Sequence, residues 1–463
     1  MNDTYVAILP ILISFIAAFT IIMFDLFLSK PHKIIKGFSL FFAALTIVPA
    51  VFYRGITTIG FKGQIIFDNL SYLFVFLIAL ISFTIIILGF SYNKERKVIY
   101  NEYYALLFLA QAGLIGFVSS YNILVLFLSL EIFSFSSYIL TGIAKDRLSS
   151  EAVFKYFYLG IISSSFGLLG LSFLYGGSGT LDLRIILKNS HLNNLILGGL
   201  LLFLMNLFFK FSLSPFHTWT PDVYEGTTTP IAGYFSVAPK LAIIFAMLRI
   251  ISLKQLSGEP LQDIIWIISA ITIIWGNITA LKQKNLKRLM AYSAIAHSGY
   301  MAMGFMLNYE FAKKYLLFYG IIYLFLNLTV FTFLNYLIKD GKDTVNINDI
   351  SGLSSKKPLE SFVLSLALLS LAGFPPTIGF FAKFYLFVGL IKSGFVFISL
   401  IAVLGTLISV FYYFRIISFM YIKEGDRDLI FGMGGKLLLF ICGIMIIVSS
   451  FYPQLIFNFI KGI

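Results

Sequence analysis

The sequence predicts an all-α polytopic membrane protein, on three observations. Only 12% of its 463 residues are charged, and 59% are hydrophobic, whereas an average soluble domain is about 25% charged. Apolar runs long enough to cross a bilayer recur from one end of the chain to the other. These runs are continuous and do not alternate, so an outer-membrane barrel is excluded. A soluble enzyme is excluded too, because a chain of this length carries too little charge to cover its surface. The net charge of +13 invites a nucleic-acid reading, but the placement of the basic residues fits membrane topology instead.

A span needs about 20 mostly apolar residues. Fourteen are expected, over roughly 4–28, 34–53, 69–92, 102–120, 122–144, 149–175, 192–218, 228–252, 261–281, 286–306, 311–338, 357–390, 393–422 and 431–460. The Met1-Asn2-Asp3-Thr4 start has no basic n-region, so the first run reads as a retained span and not a cleaved signal. The loop after span one holds Lys30, Lys33 and Lys36; those after spans three and five hold Lys94, Arg96 and Lys97, then Lys145 and Arg147. With the loops after spans nine, eleven and thirteen, that side carries 19 basic residues, against 9 on the other. The positive-inside rule makes the richer side cytoplasmic and places both termini outside. The whole chain is expected as one membrane domain: spans one to three in 1–100, a first repeat in 101–252, a second in 261–422 and a last span in 431–463.

Two spans are interrupted, span seven by Ser214-Pro215 and span twelve by Gly373-Phe374-Pro375-Pro376. Proline removes a backbone donor, and at membrane depth the freed carbonyls must face protein or water. Paired broken helices in two halves point to an inverted-repeat transporter. A faint repeat supports this. Arg249-Ile250-Ile251-Ser252 recurs as Arg415-Ile416-Ile417-Ser418, 166 positions on, the same spacing as Glu131 to His297; Lys210 and Lys383 are 173 apart. Five spans per unit is an odd number, so the second unit must be inverted relative to the first.

Ionisable residues inside spans carry the functional signal, because a charge at membrane depth is costly without a partner or a task. Glu131 sits near mid-span as a candidate proton-path carboxylate. Lys210 precedes the first break, with His217 seven residues on; Lys240 follows Pro239; Lys383 follows the double proline. His297 lies among small polar residues that could hold water, and Lys155 stands about two turns into span six. Ser212, Ser214, Ser236, Tyr292 and Ser293 are candidate bridges. Arg249 and Arg415, near span ends, are read as interface anchors. His32 and His191 are read as solvated. A metal-cation path is disfavoured, since such sites need several oxygen ligands and one mid-span carboxylate stands out.

The remaining motifs are negative. The single cysteine, Cys442, cannot build an iron–sulfur cluster, a zinc site or an internal disulfide. There is no P-loop, no strand-linked GxGxxG and no HExxH. No cofactor or metal site is expected in this chain, and its energy must come from partner subunits or an ion gradient.

The segment Lys210-Phe211-Ser212-Leu213-Ser214-Pro215-Phe216-His217-Thr218-Trp219-Thr220-Pro221-Asp222-Val223-Tyr224-Glu225-Gly226 strongly resembles the N-type antiporter-like subunits of proton-translocating NADH–quinone oxidoreductase, respiratory complex I. So do Arg147–Ala152 with Lys155-Tyr156-Phe157, Val237-Ala238-Pro239-Lys240, Asn285–Tyr300, and Ala372–Pro376 through Lys383-Phe384-Tyr385. The similarity keeps its order along nearly the whole chain, and Asp222–Gly226 separates N-type subunits from the related M, L and cation/proton antiporter subunits. The resemblance implies two inverted five-helix units, Glu131 and Lys210 as an input ion pair, Lys240 as central relay and Lys383 as exit. It implies that Lys155 and His217 tune or connect the path. NADH, FMN, iron–sulfur clusters and quinone would belong to partner subunits, and the partners would be other membrane-arm subunits in a bacterial inner membrane, with no nucleic acid. A secondary multi-subunit cation/proton antiporter is the alternative.

Overall fold

The computed structural model describes residues 3–29, 31–96, 101–188, 193–253, 260–337, 345–425, 429 and 432–462. His191, Lys30, Lys97, Lys254, Lys339 and Arg427 lie outside these. Each expected span contains helix. The first six are α1 (Asp3–Phe27), α2 (His32–Phe52), α3 (Asn69–Arg96), α4 (Glu102–Ser119), α5 (Ile123–Thr141) and α6 (Arg147–Ser178). A short α7 (Leu183–Lys188) precedes span seven, which is split into α8 (Asn194–Lys210) and α9 (Trp219–Gly226). Then come α10 (Thr229–Leu253), α11 (Pro260–Ala280), α12 (Leu286–Met303) and α13 (Tyr309–Leu334). A turn of helix, α14 (Leu353–Lys356), leads into span twelve, split into α15 (Pro358–Ala372) and α16 (Ile378–Lys392). The chain ends with α17 (Val396–Tyr421), α18 (Met433–Phe451) and α19 (Gln454–Lys461). Among the described residues, eleven helices are long and apolar enough to cross a membrane. The halves of the broken spans are individually shorter.

The connections hold more structure than their length suggests. After α2, Thr58–Gly60 (β1) and Ile65–Phe67 (β2) form an antiparallel hairpin, turned by Lys62 and Gly63, both at positive φ. Its alternate residues Ile65 and Phe67 are buried, as the period of two requires.

One linkage occurs twice. Before α5, Ile123 N–H donates to the Leu181 carbonyl and Leu183 N–H to that of Tyr121, both at 2.9 Å. Before α12, Leu286 N–H donates to Val345 at 2.8 Å and Ile347 N–H to Lys284 at 2.9 Å. Each linker ends in an asparagine, Asn122 or Asn285, whose side chain accepts from the first-turn amides of the helix it caps. The arginines of the repeated Arg-Ile-Ile-Ser reach the same two linkers. Arg249 donates to the Val118 carbonyl at 2.5 Å, and Arg415 to those of Leu281 and Gln283 at 2.6 and 2.5 Å.

Helices α10 and α13 lie deepest: 89% and 94% of their most apolar stretches are buried, against 33% for α6 and α18. The exposed Leu, Ile and Phe side chains of the outer helices face what would be lipid. The polar residues of α10, α12 and α13 are thus held where lipid does not reach them.

Candidate functional site: a row of buried amines at two helix breaks

Both helix breaks follow from one piece of backbone chemistry. In an α-helix the carbonyl of residue i accepts from the N–H of residue i+4. Pro215 and Pro376 have no N–H, so the carbonyls four residues earlier, Phe211 and Ala372, lose their helical donors. A lysine takes each of them. Lys240 Nζ donates to the Phe211 carbonyl at 3.3 Å, and Lys383 Nζ to that of Ala372 at 3.1 Å. Gly373 supports the second break at φ +81°, where a Cβ would also press on the Lys383 side chain.

Lys240, on α10 just after Pro239, is 1% exposed. Besides Phe211 it donates to the Ala294 carbonyl at 3.2 Å and to the Ser298 hydroxyl, both on α12. Three acceptors match the three protons of an ammonium group. The residue beside Ser298 is His297, also buried. Its Nδ1 lies 2.8 Å from the Tyr319 hydroxyl and its Nε2 3.4 Å from that of Tyr413, which in turn meets Ser293 Oγ at 2.5 Å. A cavity of ≈ 10 Å³ lies between His297, Tyr319, Tyr323, Ser370 and Lys383, close to the volume that takes one water. The Lys383 ammonium stands over the Tyr300 ring at 5.0 Å. Lys240, His297 and Lys383 therefore form one continuous cluster.

The first half of the row is built differently. Lys210 ends α8 and is 2% exposed. Its polar partners are the hydroxyls of Tyr138 at 3.4 Å and Tyr156 at 3.5 Å. The rings of Tyr138, Tyr156, Phe209 and Phe133 surround it at 4.8–5.7 Å, a cage that favours a cation. Glu131 is half-buried and accepts from Ser164 Oγ at 2.7 Å. No carboxylate oxygen of Glu131 lies within 4.0 Å of Lys210 Nζ. The structure thus brings Lys210 to two tyrosines and leaves Glu131 with a serine.

Lys155 and His217 lie apart from the row. Lys155 pairs with Asp222 at 2.8 Å and Glu151 at 2.7 Å. Arg288 joins through Asp222 at 2.5 Å and Glu225 at 2.9 Å. His217 is buried, its ring 6.2 Å from that of Trp275, and its Nδ1 has no hydrogen-bond partner among the described residues.

Of the five proposed bridges, Ser293 joins the His297 cluster. Ser212 meets Thr220 Oγ1 at 2.9 Å, and Ser236 bonds back to Gly233 in its own helix. Arg249 is not an interface anchor. It is 4% exposed and pairs with Asp68 at 2.8 Å, with Tyr121 and Ser71 completing its donors. Lys287, counted with the loops, is buried and donates to the Thr227 carbonyl at 2.7 Å. The sequence reading also passed over Tyr138, Tyr156, Tyr319 and Tyr413, whose hydroxyls line the row. Tyr138, seven residues from Glu131, has a helical-spacing signal, and Tyr156 stands in the Lys155-Tyr156-Phe157 motif; in a chain with 26 tyrosines nothing in the sequence singles out Tyr319 or Tyr413.

The comparisons agree with this architecture. Residues 120–409 match the family model described as NADH:quinone oxidoreductase/Mrp antiporter, TM. A protein of Trichlorobacter lovleyi named NADH-quinone oxidoreductase subunit N is 34% identical, covering 91% of this chain and 88% of its own. The chain belongs to the subunit N family of NADH-quinone oxidoreductase. Its fold also matches a chain of respiratory complex I from Thermus thermophilus, with TM-score 0.85, 27% identity and coverage of 97% of this chain and 98% of that one. A chain of an archaeal membrane-bound sulfane sulfur reductase matches with TM-score 0.88, 27% identity and coverage of 99% and 96%. All the motif lysines of the family resemblance thus fall inside the matched fold, and Lys210, Lys240 and Lys383 are the buried lysines at or beside its two helix breaks.

Proposed function

We infer that this chain is the proton-translocating membrane subunit N of an NADH–quinone oxidoreductase, moving protons while partner subunits pass electrons from NADH to quinone. One observation carries the residue-level reading: three lysines buried at or beside two helix breaks, with His297 and a one-water cavity joining the last two. Glu131 and Lys210 serve as the uptake pair, Lys240 as the relay, and Lys383 as the exit. A proton released by Lys240 passes through Ser298 and His297 to the cavity and on to Lys383. Tyr138 and Tyr156 link Glu131 and Lys210 when the two are not in contact. Coupling then works by bringing that pair together or apart, which changes the charge felt at Lys240. Lys155 and His217 adjust the path from its margin.

The twofold occurrence of the linker bonds, asparagine caps and Arg-Ile-Ile-Ser contacts supports two related five-helix units, 101–252 and 261–422. In that register Lys210 and Lys383 are not equivalents. Lys210 precedes the first proline and Lys383 follows the second. Two related units can therefore give one path with direction. FMN, iron–sulfur clusters and the quinone site belong to partner subunits. The location we propose is a bacterial inner membrane, with both termini on the outer side.

A secondary cation/proton antiporter subunit is the second reading, favoured by the shared family description. The Asp222-Val223-Tyr224-Glu225-Gly226 segment argues against it. The test is purification of the tagged chain in mild detergent with an assay for NADH-dependent quinone reduction. The activity is expected to co-purify in a large assembly. Co-purification with other membrane subunits, no such activity, and sodium/proton exchange in vesicles would favour the antiporter.

A further inference from the structure

The ion cluster around Asp222 lies at the margin of the proton path, and the energies of its pairs say less about it than its position does. The side chains of Lys155, Glu151, Asp222, Arg288 and Glu225 are 23–57% exposed, and pairs this exposed contribute about 0–1 kcal/mol each. What the cluster does have is position. It ties three elements together: Lys155 from α6, Asp222 and Glu225 from α9, and Arg288 from α12, with Asn285 adding a bond to Glu225 at 3.2 Å.

Helix α9 is a short lever directly after the first break. At its start, the Trp219 ring stacks on Tyr156 at 4.4 Å and its indole N–H donates to the Phe209 carbonyl at 3.0 Å. Tyr156 is one of the two hydroxyl partners of Lys210. At the end of α9, Gly226 approaches α6 so closely that a Cβ would stand 2.6 Å from the Leu148 carbonyl oxygen. Across the seam, α12 supplies two of the three acceptors of Lys240, and the break itself supplies the third. The seam that Asp222 bridges is thus the one whose spacing sets the acceptors of Lys240.

We propose that Asp222 is a positioning residue: by accepting from Lys155 and Arg288 together, it fixes the first helix break against α12 and so holds the Phe211 carbonyl at Lys240. The inference rests on Lys240 being the relay.

The test uses the whole complex in sealed membrane vesicles and reads protons moved per NADH oxidised. A purely structural role would lower the amount of assembled complex and leave this ratio unchanged. Asp222→Asn keeps the shape and removes the charge, and it should lower the ratio by about twofold or more; Asp222→Glu should restore it. Arg288→Gln removes the α12 arm alone and should repeat the fall, which also serves if Asp222→Asn does not assemble. Lys240→Ala is measured alongside. A wild-type ratio in Asp222→Asn or Arg288→Gln, with Lys240→Ala impaired, overturns the proposal, as does failure of Asp222→Glu to restore the ratio. A wild-type ratio in Lys240→Ala overturns the relay reading instead.

Discussion

At the first break, the freed Phe211 carbonyl is met by Lys240 from a different helix, α10. At the second, the freed Ala372 carbonyl is met by Lys383 from α16, the other half of the same broken span. The chemical problem is the same in both places, an unpaired carbonyl at membrane depth that costs several kcal/mol if left alone. The solutions differ in reach. Lys240 also bonds α12, so its surroundings depend on how α8, α10 and α12 sit together. Lys383 depends on its own broken span, with the Tyr300 ring beside it. The difference suits a relay that must respond to events elsewhere and an exit that need only pass a proton on.

That contrast can be broken experimentally, beginning where the effect should be largest. Lys383→Met removes the donor at the second break and leaves the Ala372 carbonyl buried and unpaired at membrane depth, a cost of several kcal/mol. Proton movement through this subunit should fall about 100-fold or more, the scale on which a positioned proton donor acts, and protons moved per NADH should fall with it. A wild-type ratio would remove Lys383 from the path.

The two prolines give the sharper comparison. Pro376→Ala and Pro215→Ala each restore an N–H that competes with a lysine for its carbonyl. The loss of pumping should be greater for Pro376→Ala, because Lys240 keeps its α12 acceptors when Phe211 is taken. Equal losses would show that the breaks are not built differently.

Packing around the first break has its own test. Gly226→Ala would place a Cβ 2.6 Å from the Leu148 oxygen and 2.7 Å from Ala152 Cβ. Overpacking of this kind costs about 1–3 kcal/mol, and it should appear as a lower melting temperature of the assembled complex. Glu131→Gln should lower pumping with little effect on melting, since Ser164 can still donate to the amide oxygen; unchanged pumping would remove Glu131 from the uptake pair.

The smallest change with pH near neutrality is expected at Asp68. Burial raises its pKa, but the Arg249 charge and hydrogen bonds outweigh this and leave it below the ordinary carboxylate value. A lowered folded pKa means that the pair's stabilisation is fully present above the unfolded value of about 3.9. It is lost as pH falls through the lower folded value. Melting of wild type and Asp68→Asn should therefore differ by a constant amount between pH 5 and pH 8 and converge only in stronger acid. Convergence at pH 6 would contradict the assignment.

Much of this was legible in the sequence. The spans follow from apolar runs, the breaks from Pro215 and Pro376, and the buried lysines from charge inside those runs. The carbonyl partners of Lys240 and Lys383 were not named, although the i to i+4 rule points to Phe211 and Ala372 once the prolines are seen. Which lysine meets which carbonyl was beyond the sequence, because Lys240 comes from another helix. Arg249 was misread for a related reason: its partner Asp68 is remote in sequence. The 173-residue spacing of Lys210 and Lys383 looked like a repeat and is not one in the register set by the asparagine caps. That Glu131 meets Ser164 and Lys210 meets Tyr138 and Tyr156 was likewise beyond the sequence, because each contact joins different helices.

The central claim is that protons cross this subunit through Lys240. Its most direct test is the Lys240→Met complex reconstituted in proteoliposomes, with NADH oxidation and proton movement recorded in the same sample. The account predicts that electron transfer continues while fewer protons move per NADH. An unchanged ratio, in vesicles that hold a proton gradient as wild type does, would contradict it.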